Sequence, residues 1–156
     1  MRAPLLLAAA LMSLSGLAYS QIPPTAAAIG PVTPAEIIAA RQGGQAMLPG
    51  QVAGMKAAVD TGADVKPFAA AARAMDKWDQ AFVTLFPPGT ETGGNTKAKP
   101  EIWSDRAGFL KAAQNHQTAL QTLATAADAN DKAAFATAFR DMTATCGACH
   151  RGYLAR

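Results

Sequence analysis

The chain has 156 residues, a formal net charge of +3, 50% hydrophobic and 16% charged residues, and two cysteines. This length suits one domain with a short appendage, and two cysteines cannot form the disulfide framework of a small secreted scaffold. The mild positive charge contains no Lys/Arg run of the kind that binds nucleic acid. Alanine occupies 38 positions, whereas valine and isoleucine together occupy ten. This composition favours helices and disfavours an all-β domain, a disulfide miniprotein and a DNA-binding module.

The first 20 residues resemble a secretory signal peptide. Arg2 supplies the positive start, residues 5–14 are apolar, and Ala18 and Ser20 are the small residues expected before cleavage at Gln21. An uncleaved membrane anchor is the alternative, but the apolar run is shorter than the roughly 20 residues that span a bilayer. We expect an exported, soluble protein without a membrane span after cleavage. Residues 21–33 then form an extended Pro- and Ala-rich leader.

Residues 34–156 predict four amphipathic helices. The first begins at Pro34 behind a capping box, and Pro49 is expected to kink it. The second begins near Lys66 and stops before the prolines at 87–88. The third runs from about residues 100–104 to Ala127. The fourth begins after residues 130–131 and reaches the C-terminus, so short links and similar lengths predict an all-α, antiparallel four-helix bundle.

Each helix carries an apolar stripe at three-and-four spacing. The positions expected to face inward are Ile37, Ile38, Leu48, Val52, Met55, Val59, Phe68, Ala71, Met75, Trp78, Phe82, Leu85, Trp103, Leu110, Ala113, Leu120, Leu123, Phe135, Phe139, Met142, Cys146, Cys149, His150 and Tyr153. The loop at 86–99 is long enough to suggest a function of its own.

The strongest chemical signal is the C-x-x-C-H sequence at residues 146–150, the attachment motif of c-type haem. On a helix, Cys146 and Cys149 lie on one face and can present both sulfurs to one edge of a porphyrin. His150 is adjacent and can bind the iron from below the ring. The motif therefore predicts one covalently attached haem c.

Two other interpretations of the two cysteines remain open. A thiol–disulfide redox pair normally opens a helix in a βαβ unit, where the helix N-terminus lowers the thiol pKa. A structural metal site needs further Cys or His ligands, and the other histidine is His116. We expect His116 to be a hydrogen-bonded residue at the border of the core, with ligation of the haem iron as the alternative.

Several segments together resemble the class II c-type cytochromes, which include the cytochromes c′ and the low-spin cytochromes c556. They are Arg41-Gln42, residues 86–90 (FPPGT), residues 99–105 (KPEIWSD) and the terminal motif. The resemblance implies a left-handed four-helix bundle with haem between the helices, a periplasmic location, redox partner proteins and often a homodimer.

The resemblance also implies roles for individual residues. Arg41 and Gln42 would contact the haem propionates, and the loop at Asn95 and Thr96 would close over the haem edge. A lone arginine on an apolar stripe is costly unless it is paired or reaches water. The alternative for Arg41 is therefore a position at the rim, surrounded by water.

Departures from the family pattern concern both sides of the haem. Low-spin members place a ligating methionine where this chain has Gln45, which predicts an open distal side lined by Gln45 and Leu48. Met47 lies roughly 200° further around a regular helix and would need a distortion to become the sixth ligand. On the proximal side, a basic residue common in the family is replaced by Leu154.

Three functions are compatible with these residues. One is a periplasmic electron carrier, either with an open distal site or with Met ligation as in the cytochromes c556. Another is the binding of diatomic gases such as NO or CO at the open distal site. The third is a haem-free thiol oxidoreductase. We identify no substrate that the protein itself would turn over.

Overall fold

The computed structural model describes residues 30–156. The predicted signal peptide and most of the leader lie outside the described residues. Five helices follow one another: α1 (Pro34–Thr61), α2 (Phe68–Phe82), α3 (Glu101–Ser104), α4 (Arg106–Asp128) and α5 (Lys132–Tyr153). Across residues 30–156 there is no β-strand, and one isolated bridge joins Ala98 to Leu154. The four long helices confirm the predicted all-α fold.

The predicted start of α1 is confirmed. The Thr33 hydroxyl accepts a hydrogen bond from the Glu36 backbone N–H, and the Glu36 carboxylate accepts one from the Thr33 N–H at 2.7 Å. The helix continues through Pro49 and ends at Gly62, whose φ of +64° is left-handed. This reciprocal cap satisfies N–H groups that the first turn of a helix otherwise leaves without partners.

The third predicted helix is divided in two, which corrects the expectation of one helix up to Ala127. Asp105 has a φ of −117° and a ψ of 56°, and it separates the single turn α3 from α4. Its carboxylate accepts hydrogen bonds from the Gly108 N–H at 3.1 Å and the Tyr153 hydroxyl at 2.9 Å. The short acidic side chain thus caps α4, which is the role that aspartate prefers at helix starts.

The expected inward position of Leu110 is also wrong, because this side chain is 42% exposed. Its neighbour Phe109 is 2% exposed and packs its ring 5.1 Å from Phe86 and 5.3 Å from Tyr153. Adjacent helical residues point about 100° apart, so only one of the two can face the core. The second helix ends at Phe82, earlier than the expected end before the prolines at 87–88, and the half-buried Leu85 therefore lies in the loop that follows.

The main core lies where α2, α4 and α5 pack together, with α1 contributing Met55 and Ala58. A second, aromatic cluster contains Phe86, Ile102 and Phe109. It lies under the loop between α2 and α3, close to the end of α5. None of the helices in residues 30–156 is both long and apolar enough to cross a bilayer.

Candidate functional site

The C-x-x-C-H motif occupies the last two turns of α5. Cys146 and Cys149 are half-buried free thiols, and His150 is exposed. The end of this helix is held by the preceding loop: the Lys99 N–H donates to the Tyr153 carbonyl at 3.0 Å. The motif therefore belongs to an ordered helix whose C-terminal end is pinned to the segment at 97–99.

The environment of the two cysteines does not activate thiols. Burial raises the pKa of both groups, and the nearby charge of Asp79 raises each pKa further. The thiolate is the reactive form in thiol–disulfide exchange, and redox cysteines lie at helix N-termini, where their pKa is lowered. Cys146 and Cys149 lie at the opposite end of a helix, so this arrangement does not suit a thiol oxidoreductase.

Arg41 of α1 is 3% exposed, and its guanidinium is held by the loop that follows α2. Nη1 donates to the Leu85 carbonyl and to the Thr90 hydroxyl, each at 3.0 Å. Nη2 donates to the Thr90 carbonyl at 2.7 Å and to the Thr96 hydroxyl at 2.9 Å. All four terminal N–H bonds are thus directed at uncharged oxygens, and the alternative of an arginine at the rim in water is not observed.

The charge of Arg41 has no carboxylate in contact with it within residues 30–156. Burial lowers the pKa of its guanidinium, and the more distant charge of Glu91 raises it. Its carbon Cζ lies 4.4 Å from the centre of the Phe86 ring and 5.9 Å from that of Trp103. The buried Trp103 Nε1–H has no acceptor among the described residues. A buried cation beside an unpaired donor suits an anionic group, and a haem propionate has the required charge.

The other residues of the predicted propionate region lie on the same side of α1. Gln42 Nε2 donates to the Gly94 carbonyl at 2.9 Å. Asn95 is exposed and has a positive φ of 53°, and Thr96 is half-buried beneath Arg41. The structure therefore brings Arg41, Gln42 and the loop at 95–96 together, while their contacts with haem stay predictions.

The predicted distal residues differ in exposure. Gln45 is half-buried, and Leu48 is half-buried against the main core. Met47 is 68% exposed. Because α1 continues as a helix through Pro49, the distortion that would turn Met47 inward is not observed. The structure therefore places Gln45 and Leu48, and not Met47, toward the interior.

A buried polar cluster was not predicted from the sequence. Asp79 is 6% exposed, and its Oδ2 lies 3.6 Å from Nε2 of the half-buried His116. The other ring nitrogen, Nδ1, lies 2.7 Å from the Thr145 hydroxyl oxygen. Both nitrogens of His116 therefore face protein oxygens, which does not support iron ligation by this residue. The available signal was Asp79 itself, a charged residue four positions after Met75 on the apolar stripe of α2.

A family model described as cytochrome C' matches residues 36–154. The chain belongs to the cytochrome c′ family. Cytochrome c′ of Alcaligenes xylosoxydans is 47% identical over 68 residues, which are 44% of this chain and 51% of that protein. A cytochrome c-556 of Agrobacterium tumefaciens is 41% identical over 75 residues, 47% of this chain and 58% of that protein. The chain thus spans about half the length of the curated relatives it matches.

Solved structures of cytochrome c′ agree with the fold. The crystal structure from Thermochromatium tepidum has a TM-score of 0.74 at 31% identity, covering 80% of this chain and 98% of that one. A nitric oxide complex of a cytochrome c′ variant from Alcaligenes xylosoxidans has a TM-score of 0.72 with the same identity and coverage. These relatives confirm the class II c-type cytochrome fold, a four-helix bundle whose cofactor is covalently attached haem c.

Proposed function

We propose that the chain is a periplasmic monohaem electron carrier with an open distal side that binds diatomic gases. The observation that carries this proposal is the C-x-x-C-H motif on α5 of a cytochrome c′ bundle, together with the buried charge of Arg41, which contacts no carboxylate in residues 30–156. Haem c, when attached, supplies one-electron chemistry at iron, with its potential set by ligands and burial. The periplasmic location depends on the signal peptide predicted from residues 1–20.

Different residues of this chain would bind different parts of the haem. Cys146 and Cys149 would form the two thioether bonds, and His150 would be the axial iron ligand. Arg41 would place a positive charge at the propionates, in an orientation set by its hydrogen bonds to Leu85, Thr90 and Thr96. The four terminal N–H groups are already engaged, so the net charge and the remaining Nε–H are what the guanidinium would offer a propionate.

The distal side supports the gas-binding part of the proposal. Met47 points to solvent, and glutamine is not an ordinary haem ligand, so Gln45 and Leu48 would leave the sixth position open. The nitric oxide complex of the Alcaligenes relative supports the same conclusion by similarity. A low-spin, Met-ligated carrier is the second candidate, favoured by the match to cytochrome c-556.

The decisive measurement is the optical spectrum of the ferrous holoprotein with and without carbon monoxide. A broad high-spin spectrum that changes on adding carbon monoxide supports the open site. A sharp α band that carbon monoxide leaves unchanged would show a sixth protein ligand instead. Absence of haem absorbance after expression with a c-type maturation system would leave only the thiol function.

Attachment is tested with the double variant Cys146→Ala, Cys149→Ala. We expect complete loss of covalent haem, measured as haem that acid–acetone removes from the protein. The matched control is Thr143→Ala, a half-buried position on the same helix, which should retain its haem. Haem that resists extraction in the double variant would contradict the attachment sites.

The distal role of Gln45 is tested with Gln45→Ala. Removing the amide should leave haem attached and raise the association rate of carbon monoxide, because the entrance to the open side becomes larger. Gln51→Ala changes an exposed glutamine of the same helix and serves as control. An association rate equal to that of the unmodified protein would place Gln45 outside the gas path.

A further inference from the structure

Asp79, His116 and Thr145 form a polar cluster where α2, α4 and α5 meet in the apolar core. The side chains of Asp79 and His116 are 8% and 12% exposed, so the pair is largely shielded but still reaches solvent. Nδ1 of His116 also lies 3.9 Å from the sulfur of Cys146. The cluster therefore borders one of the two sulfurs of the haem-attachment motif.

We assign the positions of the protons from the hydrogen-bond partners. The Thr145 hydroxyl donates to the Met142 carbonyl at 2.6 Å, so its oxygen is left to accept from His116 Nδ1 at 2.7 Å. Nδ1 must then carry a hydrogen, and in a neutral imidazole Nε2 carries only a lone pair. That lone pair faces Asp79 Oδ2, which is buried and has no hydrogen-bond partner among the described residues.

One additional proton is needed between Asp79 and His116. With the proton on either partner the pair is neutral overall; without it, a carboxylate faces a lone pair and the cluster carries one negative charge. A buried arrangement of this kind is costly. The pair is thus a site that binds and releases a single proton.

Surrounding groups place this proton exchange near neutral pH. Burial and the like charge of Asp76 raise the pKa of Asp79 to about 7. Burial lowers the pKa of His116, while a hydrogen bond to the Met142 backbone and the charge of Asp76 oppose this shift. Within residues 30–156, the titratable groups that act on the pair are Asp76 on α2 and, on α5, Cys146, Cys149 and His150; in the holoprotein the last three would be bonded to haem or iron, which leaves Asp76.

We propose that Asp79 and His116 form a proton-binding site that takes up one proton from solvent when the haem carried by this chain gains one electron. The proposal rests on the proposed electron-transfer function. Haem c, when attached, would supply the one-electron couple with an electron from a redox partner protein, and the proton from solvent would bind to Oδ2 or to Nε2. Reduction removes one positive charge near the pair and so favours its protonated form, and the interior transmits this effect with little screening.

The test is the midpoint potential of the holoprotein between pH 5 and 9. We expect the midpoint potential to fall as the pH rises, by at most about 59 mV per pH unit for one electron. This slope corresponds to a tenfold change in the reduction equilibrium constant per pH unit. Asp79→Asn keeps a neutral partner for His116, so its potential should match the unmodified protein at pH 5 and exceed it at pH 9. Equal pH profiles for the two proteins would overturn the proposal.

The matched control is Asp76→Asn, one turn away on the same helix. It should keep the pH-dependent fall and shift it to lower pH, because removing a like charge lowers the pKa of Asp79. A control that loses the fall as completely as Asp79→Asn would move the proton site to Asp76 and contradict the proposed pair.

A second measurement needs no variant. Nitrogen-15 NMR of the His116 ring in ferric and ferrous holoprotein should show Nδ1 protonated throughout and a titration that moves to higher pH on reduction. The same titration midpoint in both oxidation states would overturn the coupling while leaving electron transfer intact. Failure to observe a reversible one-electron couple would instead overturn the proposed function together with this inference.

Discussion

Arg41 and Asp79 are two charged groups buried in one bundle, but their surroundings differ. Arg41 donates four hydrogen bonds to oxygens of a single loop, whereas Asp79 Oδ2 has no hydrogen-bond partner in residues 30–156. A guanidinium stays protonated throughout the physiological range, but a buried carboxylate can become neutral. The comparison indicates that the first site holds a constant charge in place and the second changes its charge with pH.

Among the substitutions that test this comparison, Arg41→Met is expected to change the free energy of unfolding most. It leaves the oxygens of Leu85, Thr90 and Thr96 without their donor, and we expect a loss of about 3 kcal/mol in the free energy of unfolding. Urea denaturation of the holoprotein measures it, with Arg140→Met, an exposed arginine, changing stability by about 0.5 kcal/mol at most. The loss should be the same at pH 5 and pH 8. A loss of stability that differs strongly between the two pH values would contradict the constant charge assigned to Arg41.

Asp79→Asn should behave in the opposite way. The pKa of Asp79 is raised from 3.8 to about 7 in the folded protein. Below pH 4 both folded and unfolded states are protonated. Between pH 4 and 7 only the unfolded state ionises, so the free energy of unfolding falls across this window and levels off above pH 7. The stability advantage of the variant over the unmodified protein should therefore grow by about 2 kcal/mol between pH 5 and pH 8. Equal differences at both pH values, measured by urea denaturation, would contradict the neutral carboxyl.

The smallest effect concerns Thr90, which is fully buried under Arg41. Its hydroxyl accepts from Arg41 and donates to the Pro87 carbonyl at 2.8 Å. Thr90→Val keeps the shape and removes both bonds, which should cost about 1.5 kcal/mol. Thr84→Val, an exposed threonine near the end of α2, is the control. No difference between the two variants in thermal unfolding would show that the loop does not hold the guanidinium.

Local patterns in the sequence predicted much of the helical fold. The capping residues Thr33 and Glu36 marked the start of α1 correctly, because a cap depends on residues three positions apart. The break at Asp105 was missed, since the same residues can continue a helix or start a new one. The hydrogen bond from Tyr153 to Asp105 joins positions 48 residues apart, and no local pattern shows it.

The candidate site was also predicted only in part from the sequence. The motif at 146–150 was predicted from its spacing alone, and Arg41 was identified as a cation on an apolar stripe. The hydrogen-bond partners of Arg41 could not be predicted, because they are distant in the sequence: three of its acceptors belong to the loop at 85–90 and the fourth to Thr96. Met47 is exposed because α1 continues without a distortion. The sequence could not decide this, because the nearby proline and glycine residues are compatible with either a regular or a distorted helix.

The sequence by itself determined the helical class, the two cysteines and histidine that identify a c-type haem protein, and the start of the first helix. All of these depend on residue types at short, regular spacing along one chain. Only the tertiary structure decided that Asp79 meets His116 beside Cys146, because three separate helices contribute these side chains. Whether a buried acid and a histidine share a proton depends on angles and distances across the bundle, which spacing along the chain does not contain.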